Sequence, residues 1–248
     1  MSRVAIIGGT GLSELVGLKN IKTEKVDTVY GETSGVIESG LLEGEEVVFL
    51  SRHGKPHTIP PHKINYRANL DALHKLNVKK IIAVNAVGGI SNDMPPKHIV
   101  IPHQIIDYTY GREHTFYDNT SEVELQHVDF SDPYDGDLRF KLISAAKQYD
   151  IPFSNSGVYA CTQGPRLESS AEVQRLLRDG CDIVGMTGMP EAALARELGI
   201  AYASLCIVVN AAAGLSQEPI TMADIHRVLS EGIADVLTLL KLVISQLK

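Results

Sequence analysis

The segment from Asp182 to Glu191 reads as a buried strand that stops in a polar, glycine-rich turn and then starts a helix. Pro190 suits the first helical turn, where a missing N–H costs little. Gly199 stands where a left-handed residue commonly ends a helix. Such a turn offers backbone N–H groups and the Thr187 hydroxyl at the positive end of a helix, which is an arrangement that binds anions. An ordinary strand–turn–helix joint would have the same sequence, so this segment alone leaves both interpretations open.

Four other apolar runs also end in small or polar residues. They lead into Gly8-Gly-Thr10-Gly11, Ser51-Arg52-His53, Asn85-Ala86 and Asn210-Ala-Ala212. The first lacks the full spacing of a dinucleotide fingerprint and the long helix that should follow, so we reject that interpretation. In α/β sheets, ligands bind beyond the carboxyl ends of the strands. We therefore expect these strand ends to form one pocket that holds phosphate.

Apolar periodicity predicts an alternation of strands and helices. Strands are predicted over 4–7, 36–42, 47–50, 79–84, 99–106, 157–160, 182–185 and 200–209, and helices over 65–76, 135–146, 171–177 and 190–198, with a long helix from Thr221 onwards. In that last helix, Met222, Ile225, Val228, Leu229, Ile233 and Val236 form one apolar stripe. The pattern indicates a single domain over 1–248 of the α/β class, with three α/β/α layers, a central mixed sheet and an early antiparallel meander.

The stretch from Tyr108 to Tyr134 is polar, carries aromatic residues and has no clear period. A loop of this length in a compact domain is more often functional than idle. His127 within it is either a surface histidine or a residue that reaches into a site.

Charge and cysteine content exclude several classes of protein. The net charge of −7 and the absence of a Lys/Arg cluster argue against a nucleic-acid-binding surface. No apolar run approaches the roughly 18 residues of a membrane span. Cys161, Cys181 and Cys206 are scattered without CxxC spacing, which favours buried thiols in a reducing compartment over a metal or disulfide framework. We expect a cytoplasmic protein without a metal.

Five motifs in sequence order resemble the trimeric purine nucleoside phosphorylase family, and its methylthioadenosine phosphorylase branch most closely. They are Gly8-Gly-Thr-Gly11, Ser51-Arg-His-Gly54, Asn85-Ala-Val-Gly-Gly89, Gly164-Pro-Arg-Leu-Glu168 and Gly185-Met-Thr-Gly-Met-Pro-Glu191. The resemblance extends along the whole chain. It implies a nucleoside phosphorylase-like fold and a pentosyltransferase that uses inorganic phosphate as co-substrate, without a metal or an organic cofactor.

The resemblance also implies roles for individual residues. Phosphate would be bound by Thr10, Arg52, His53, Ala86 and Thr187. Met186 would lie under the sugar, Asn210 would face N7 and O6 of the purine beside Ala212, Glu168 would face the N1 edge, and Leu167 would replace a stacking phenylalanine. His127 corresponds to a residue that family members lend to a neighbouring active site, which implies a homotrimer or a dimer of trimers.

The preferred purine base can be inferred from a difference between this chain and the methylthioadenosine branch. That branch has Asp-x-Asp where this chain has Asn210 and Ala212. An amide both donates and accepts, so Asn210 can serve N7 and O6 of a 6-oxopurine. A carboxylate at Glu168 can accept from the N1–H that hypoxanthine and guanine carry and adenine lacks. Both residues favour a 6-oxopurine.

The 5′ end of the nucleoside would meet the start of the last helix. Inosine and guanosine phosphorylases similar to this family use a histidine there, and Ala223 to Ile225 occupy that position in this chain. An apolar pocket suits a methylthio group. A shift of one residue would bring His226 into the site, but Ile225 belongs to the apolar stripe and His226 lies about 100° away on an ideal helix.

The expected reaction is the phosphorolysis of S-methyl-5′-thioinosine to hypoxanthine and 5-methylthioribose 1-phosphate. We expect a dissociative mechanism in which bound phosphate attacks C1′ while Asn210 stabilises charge on the leaving purine. Three alternatives stay open: an inosine and guanosine phosphorylase, a methylthioadenosine phosphorylase, and a nucleoside- or phosphate-binding protein without catalytic activity.

Overall fold

The computed structural model describes residues 3–118 and 125–247. In this part of the chain, eleven strands form one mixed sheet. The strands are β1 (Arg3–Gly8), β2 (Lys19–Glu24), β3 (Ile37–Leu42), β4 (Glu45–Ser51), β5 (Val78–Gly89), β6 (Ile99–Val100), β7 (Gln104–Asp107), β8 (Phe153–Ser154), β9 (Val158–Cys161), β10 (Ile183–Gly185) and β11 (Ala201–Ala211). The helices are α1 (Tyr66–Lys75), α2 (Gly136–Gln148), α3 (Ser170–Arg178), α4 (Glu191–Glu197) and α5 (Met222–Ser245).

The sheet is covered on both faces. Alternate residues of β1 enter two different cores: Val4 and Ile6 pack with α2 and α5, and Ala5 and Ile7 pack with α1 and α4. Because strands of this kind are buried on both faces, they carry continuous apolar runs. The predicted three-layer α/β/α architecture with a mixed sheet is therefore confirmed, including the antiparallel meander, which is formed by β3 and β4.

The helices begin where local capping chemistry dictates. The side chains of Asn65, Asp135, Ser169 and Thr221 accept hydrogen bonds from backbone N–H groups in the first turns of α1, α2, α3 and α5. Such caps satisfy N–H groups that have no partner within the helix. The predicted starts of these helices agree with these positions to within a residue or two.

The second half of β5 determines where the site forms. β1 pairs with β5 only as far as Ala83, and β10 then pairs antiparallel with Gly88 and Gly89 on that side. On the other side, β11 runs parallel to β5 as far as Gly89. The segment 85–89 is thus held between β10 and β11 beyond the end of β1.

The structure differs from the predicted elements in several places. The strand predicted over 99–106 is two strands, β6 and β7, because Pro102 lies between them and has no N–H to donate to a ladder. β5 and β11 continue through the small residues that were interpreted as turns. The strands β2 and β8 were not predicted, since β2 is an exposed edge strand without apolar alternation and β8 has only two residues.

The apolar stripe of α5 is confirmed except at its first position. Val228, Leu229 and Val236 are buried, whereas Met222 is 60% exposed. Within the described residues, no helix is both long and apolar enough to cross a membrane.

Candidate active site

A cavity of about 220 Å³ lies beside the second half of β5. Most of the predicted site residues line it: Thr10, Arg52, His53, Ala86, Leu167, Glu168, Met186, Thr187, Asn210, Ala212 and Ile225. Two predicted residues, His127 and Ala223, are exposed and do not line this cavity. The expected convergence of the five strand ends is therefore present in a single subunit.

The turn after β10 places Thr187 beside Asn85, within β5, and not at the end of β5. Because β10 runs antiparallel to β5, the residues after it lie beside Asn85. The Thr187 hydroxyl donates to Asn85 Oδ1 at 2.9 Å, and Asn85 Nδ2 donates to Ser204 Oγ at 2.6 Å. Buried polar groups of this kind hold one geometry when all of them are paired. Asn85 thus anchors Thr187 at the cavity wall.

Three backbone N–H groups after β10 are paired within the protein. The N–H of Thr187 donates to the Tyr159 hydroxyl at 3.4 Å, and the N–H of Met189 donates to Cys161 Sγ at 3.2 Å. The N–H of Ala192 donates to the Gly188 carbonyl. The Thr187 side chain of this turn lines the cavity.

Arg52 is completely buried and forms a two-pronged ion pair with Glu191. Its Nε and Nη2 donate to the two carboxylate oxygens at 2.6 and 2.8 Å, and Nη1 donates to the Val84 carbonyl at 3.1 Å. Tyr202 donates a further hydrogen bond to Glu191 at 2.9 Å. Burial alone would lower the pKa of Arg52, but the carboxylate of Glu191 raises it above its ordinary value. A guanidinium has five N–H groups, so two N–H groups of Arg52 are not used by these three hydrogen bonds.

His53 lies beside Arg52 and is 6% exposed. Its Nδ1 is 2.8 Å from the Ile59 carbonyl, which can only accept, so Nδ1 carries the proton. Burial, with a smaller effect from the charges of Arg52 and His57, lowers the pKa of His53 to about 4. The neutral ring therefore offers Nε2 as an acceptor.

We expect the stability of the protein to fall between neutral pH and about pH 5, partly because of His53. The pKa of this histidine is about 4 in the folded protein against an ordinary 6.5, so over that interval only the unfolded chain takes up the proton. The free energy of unfolding falls by on the order of 3 kcal/mol once the pH lies below both pKa values of His53. Thermal unfolding of wild type and of His53→Asn, whose amide can still donate to Ile59, measures it. An equal fall of Tm with pH in both proteins would contradict a neutral His53.

The opposite end of the cavity carries an amide and a carboxylate. The pairing of β11 with β5 shifts register between Val208 and Asn210, and such a bulge redirects the side chain that follows it. Asn210 Nδ2 donates to the Ala211 carbonyl at 2.7 Å, which leaves one N–H and Oδ1 for a ligand. Glu168 accepts from the Thr162 hydroxyl at 2.6 Å through Oε1, which leaves Oε2 for a ligand.

Two glycines allow close approaches around the cavity. A Cβ on Gly9 would lie 2.6 Å from the Val84 carbonyl, so the turn before Thr10 passes close to β5 only with glycine there. Gly164 has a φ of +62°, and its Cβ would lie 2.5 Å from Met186 Sδ. Glycine at 164 thus lets the turn that carries Glu168 pack against Met186.

The third wall of the cavity is apolar. It is formed by Ile220, Met222 and Ile225 around the start of α5, and Ile225 is 8% exposed. His226 is exposed on the helix, as the apolar stripe predicted.

The ring of His57 also lines the cavity and stacks on His53 with ring centres 4.2 Å apart. Burial, and then the nearby His226, lowers the pKa of His57.

Sequence reasoning missed His57, which lines the cavity, and also Glu191 and Arg112, which bind residues of the cavity wall. Glu191 belongs to a recognised motif, but its partner Arg52 is 139 residues away, and no local pattern reveals such a pair. Arg112 lies in the long polar stretch, whose length was the only signal. In the described part of the chain, no group of three or more His, Cys, Asp or Glu residues could hold a metal ion.

The fold and this cavity define a nucleoside phosphorylase-like class of protein, and the sequence matches the phosphorylase superfamily over residues 3–245. The chain belongs to that superfamily. It is 54% identical to a probable S-methyl-5′-thioinosine phosphorylase of Pseudomonas syringae pv. tomato, over 99% of both chains. It is 45% identical to the 6-oxopurine nucleoside phosphorylase of Pyrococcus furiosus, over 97% of this chain and 91% of the other.

Solved structures of similar proteins give the same class. Methylthioadenosine phosphorylase from Schistosoma mansoni in complex with adenine superposes with a TM-score of 0.95 at 31% identity, covering 99% of this chain and 92% of the other.

Proposed function

We propose that this protein catalyses the phosphorolysis of S-methyl-5′-thioinosine, giving hypoxanthine and 5-methylthioribose 1-phosphate. The observation that carries the proposal is the composition of one cavity: Asn210 and Glu168 at one end, and an apolar wall around Ile225 at another. The amide and the carboxylate complement the O6, N7 and N1–H of a 6-oxopurine. The apolar wall complements a methylthio group. The names of the bacterial relatives support the same substrate.

Phosphate would occupy the part of the cavity formed by Thr10, Arg52, His53, Ala86 and Thr187. The two N–H groups left on Arg52 would donate to the phosphate. The neutral His53 would accept, through Nε2, a hydrogen bond from the protonated oxygen of the phosphate. Met186 would lie under the sugar, and Leu167 would cover the purine. The reaction would need neither a metal nor an organic cofactor, because the charge that develops on the purine is met by Asn210.

We further propose that the whole chain, 1–248, acts as one domain in a homotrimer or a dimer of trimers, in the cytoplasm. The exposure of His127 supports the trimer, since a residue that serves a neighbouring subunit has to lie at the surface. The burial of all three cysteines as free thiols fits a reducing compartment. Light scattering would test the assembly, and a monomeric enzyme with full activity would contradict it.

A second candidate substrate class is inosine and guanosine. It is favoured by the imidazole of His57, which lines the same cavity and could serve a 5′-hydroxyl. A 6-oxopurine nucleoside phosphorylase is also among the relatives. Methylthioadenosine is less well matched, because Asn210 and Ala212 replace the two carboxyl groups of that branch.

The deciding experiment compares initial rates, with and without phosphate, for methylthioinosine, inosine, guanosine and methylthioadenosine. We expect phosphate-dependent cleavage with the highest kcat/KM for methylthioinosine. Ile225→His should move the preference towards inosine, and Ala223→His, which changes an exposed residue outside the cavity, should not. A wild-type preference for inosine would favour the second candidate, and release of no base would contradict both.

A further inference from the structure

Arg112 is a buried arginine that joins two segments of the cavity wall. Its side chain is only 8% exposed. Nη1 donates to the carbonyl oxygens of Met186 at 2.9 Å and Met189 at 2.6 Å. Nη2 donates to the carbonyl oxygens of Gln163 at 2.8 Å and Thr162 at 3.2 Å. One guanidinium thus ties the end of β9 to the turn after β10.

Each of these segments carries one half of the proposed site. Met186 and Met189 flank Thr187, which lines the phosphate end of the cavity. Thr162 donates its hydroxyl hydrogen to Glu168 at 2.6 Å, and Glu168 faces the proposed purine. A movement of either segment would therefore change the distance between bound phosphate and bound nucleoside.

The hydrogen bonds of Arg112 require a guanidinium. Its remaining donor, Nε, bonds to the Gln163 side chain at 3.1 Å, and Nη1 also approaches the Tyr66 hydroxyl at 3.2 Å. All of these acceptors are neutral oxygen atoms, unlike the carboxylate that pairs with Arg52. A lysine has three donors on one nitrogen atom and cannot reach both segments at once.

We propose that Arg112 is a positioning residue that holds the purine-binding and phosphate-binding halves of the site at their reactive separation. The inference deepens the proposed function and rests on it. Reaction between two bound molecules depends steeply on their relative placement, and a displacement of about 1 Å can cost about 100-fold in rate. Loss of Arg112 therefore lowers kcat more than it weakens the binding of phosphate alone, because most of the proposed phosphate ligands lie on segments that Arg112 does not contact.

The test compares Arg112→Ala, Arg112→Lys and a matched control, Arg139→Ala. Arg139 also donates to backbone carbonyls, those of Pro102 at 2.8 Å and Asn155 at 2.7 Å, but it does not line the cavity. Steady-state kinetics would use the nucleoside that wild type cleaves best. We expect kcat to fall by about 100-fold in Arg112→Ala and to stay near wild type in Arg139→Ala. Guanidinium ion, at concentrations far below denaturing ones, should restore part of the activity of Arg112→Ala only.

Several results would overturn the inference. One is a folded Arg112→Ala with a kcat near that of wild type, and another is a folded, impaired variant that guanidinium does not rescue. If Arg112→Ala does not fold, a folded Arg112→Lys tests the inference instead. A kcat near that of wild type in Arg112→Lys would contradict it. If wild type cleaves no nucleoside, the proposed function fails separately. Arg112 is then judged by hypoxanthine binding, which should weaken about tenfold in Arg112→Lys, and equal affinity would refute the inference.

Discussion

Replacing Glu191 with glutamine is expected to lower the free energy of unfolding by about 3–5 kcal/mol, because the change leaves the guanidinium of Arg52 buried without its counter-charge. Both side chains are completely buried, so solvent does not screen the pair. In a chain of this size, the loss corresponds to a Tm lower by roughly 6–20 °C, which thermal unfolding would measure. Inorganic phosphate should raise the Tm of the variant by more than that of wild type, since an anion beside Arg52 replaces the missing charge.

The chain contains a matched control for this experiment. Arg166 and Glu172 form the same two-pronged ion pair, with two hydrogen bonds of 2.8 Å, but both side chains are exposed. Glu172→Gln keeps an acceptor for the cap of α3 and should cost about 0–1 kcal/mol. A Tm for Glu191→Gln as close to wild type as that of Glu172→Gln would contradict the importance of the buried pair.

A double variant separates stability from function at the same place. Arg52→Met with Glu191→Leu replaces the ion pair with apolar side chains of similar volume, which is often neutral or stabilising for buried pairs. We expect this protein to recover much of the lost stability and to remain inactive, because the proposed donor to phosphate is gone. An active double variant would remove Arg52 from the proposed phosphate site.

Replacing Asn210 with alanine is expected to lower kcat/KM by about 100- to 1,000-fold, as the loss of one hydrogen-bond donor to a developing charge commonly does. Asn210 sits at a bulge of β11 on a hydrogen-bonded strand, so the alanine variant should fold normally. Its affinity for inorganic phosphate, measured by calorimetry, should be unchanged. A kcat/KM near that of wild type would contradict the role of Asn210 in stabilising the leaving purine.

Asn210→Asp tests whether residue 210 selects the purine. A carboxylate in place of the amide loses the donor for O6, so the ratio of kcat/KM for methylthioinosine to that for methylthioadenosine should fall. An unchanged ratio would mean that the purine is selected elsewhere, with Glu168 as the first residue to examine.

The sequence predicted the architecture well where the signals are local. Apolar runs, capping residues such as Asp135 and Thr221, and the strand–turn–helix around Pro190 all act over a few residues. The ends of β5 and β11 were missed because Gly88, Gly89 and Ala211 have low intrinsic strand propensity, and neighbouring strands hold them in the sheet. Pairing with distant strands overrides local preference at these positions.

The features of the candidate site were likewise predictable only where they depend on local sequence. Motifs predicted which residues line the cavity, because each motif is contiguous in the chain. They did not reveal Glu191 as the partner of Arg52, Arg112 as the tie between two segments, or the proton on Nδ1 of His53. Each of these depends on contacts between residues far apart in sequence, or on burial. His127 was expected in a neighbour's site, and that expectation stays a prediction.

The interior of β5 between β10 and β11 has a consequence for how this family diversifies. The floor of the cavity is backbone held by two neighbouring strands, so exchange of a side chain on its rim leaves the scaffold unchanged. On the proposed assignment, exchanging an amide for a carboxylate at position 210, or an alkyl group for an imidazole at position 225, would alter the preferred nucleoside while the backbone stays the same. The chain shares its backbone with a methylthioadenosine phosphorylase at a TM-score of 0.95, although the purine and 5′ group that we propose for it differ from those of methylthioadenosine. On this assignment, a few atoms at the rim of the cavity, and not the overall fold, would separate the substrates of such proteins.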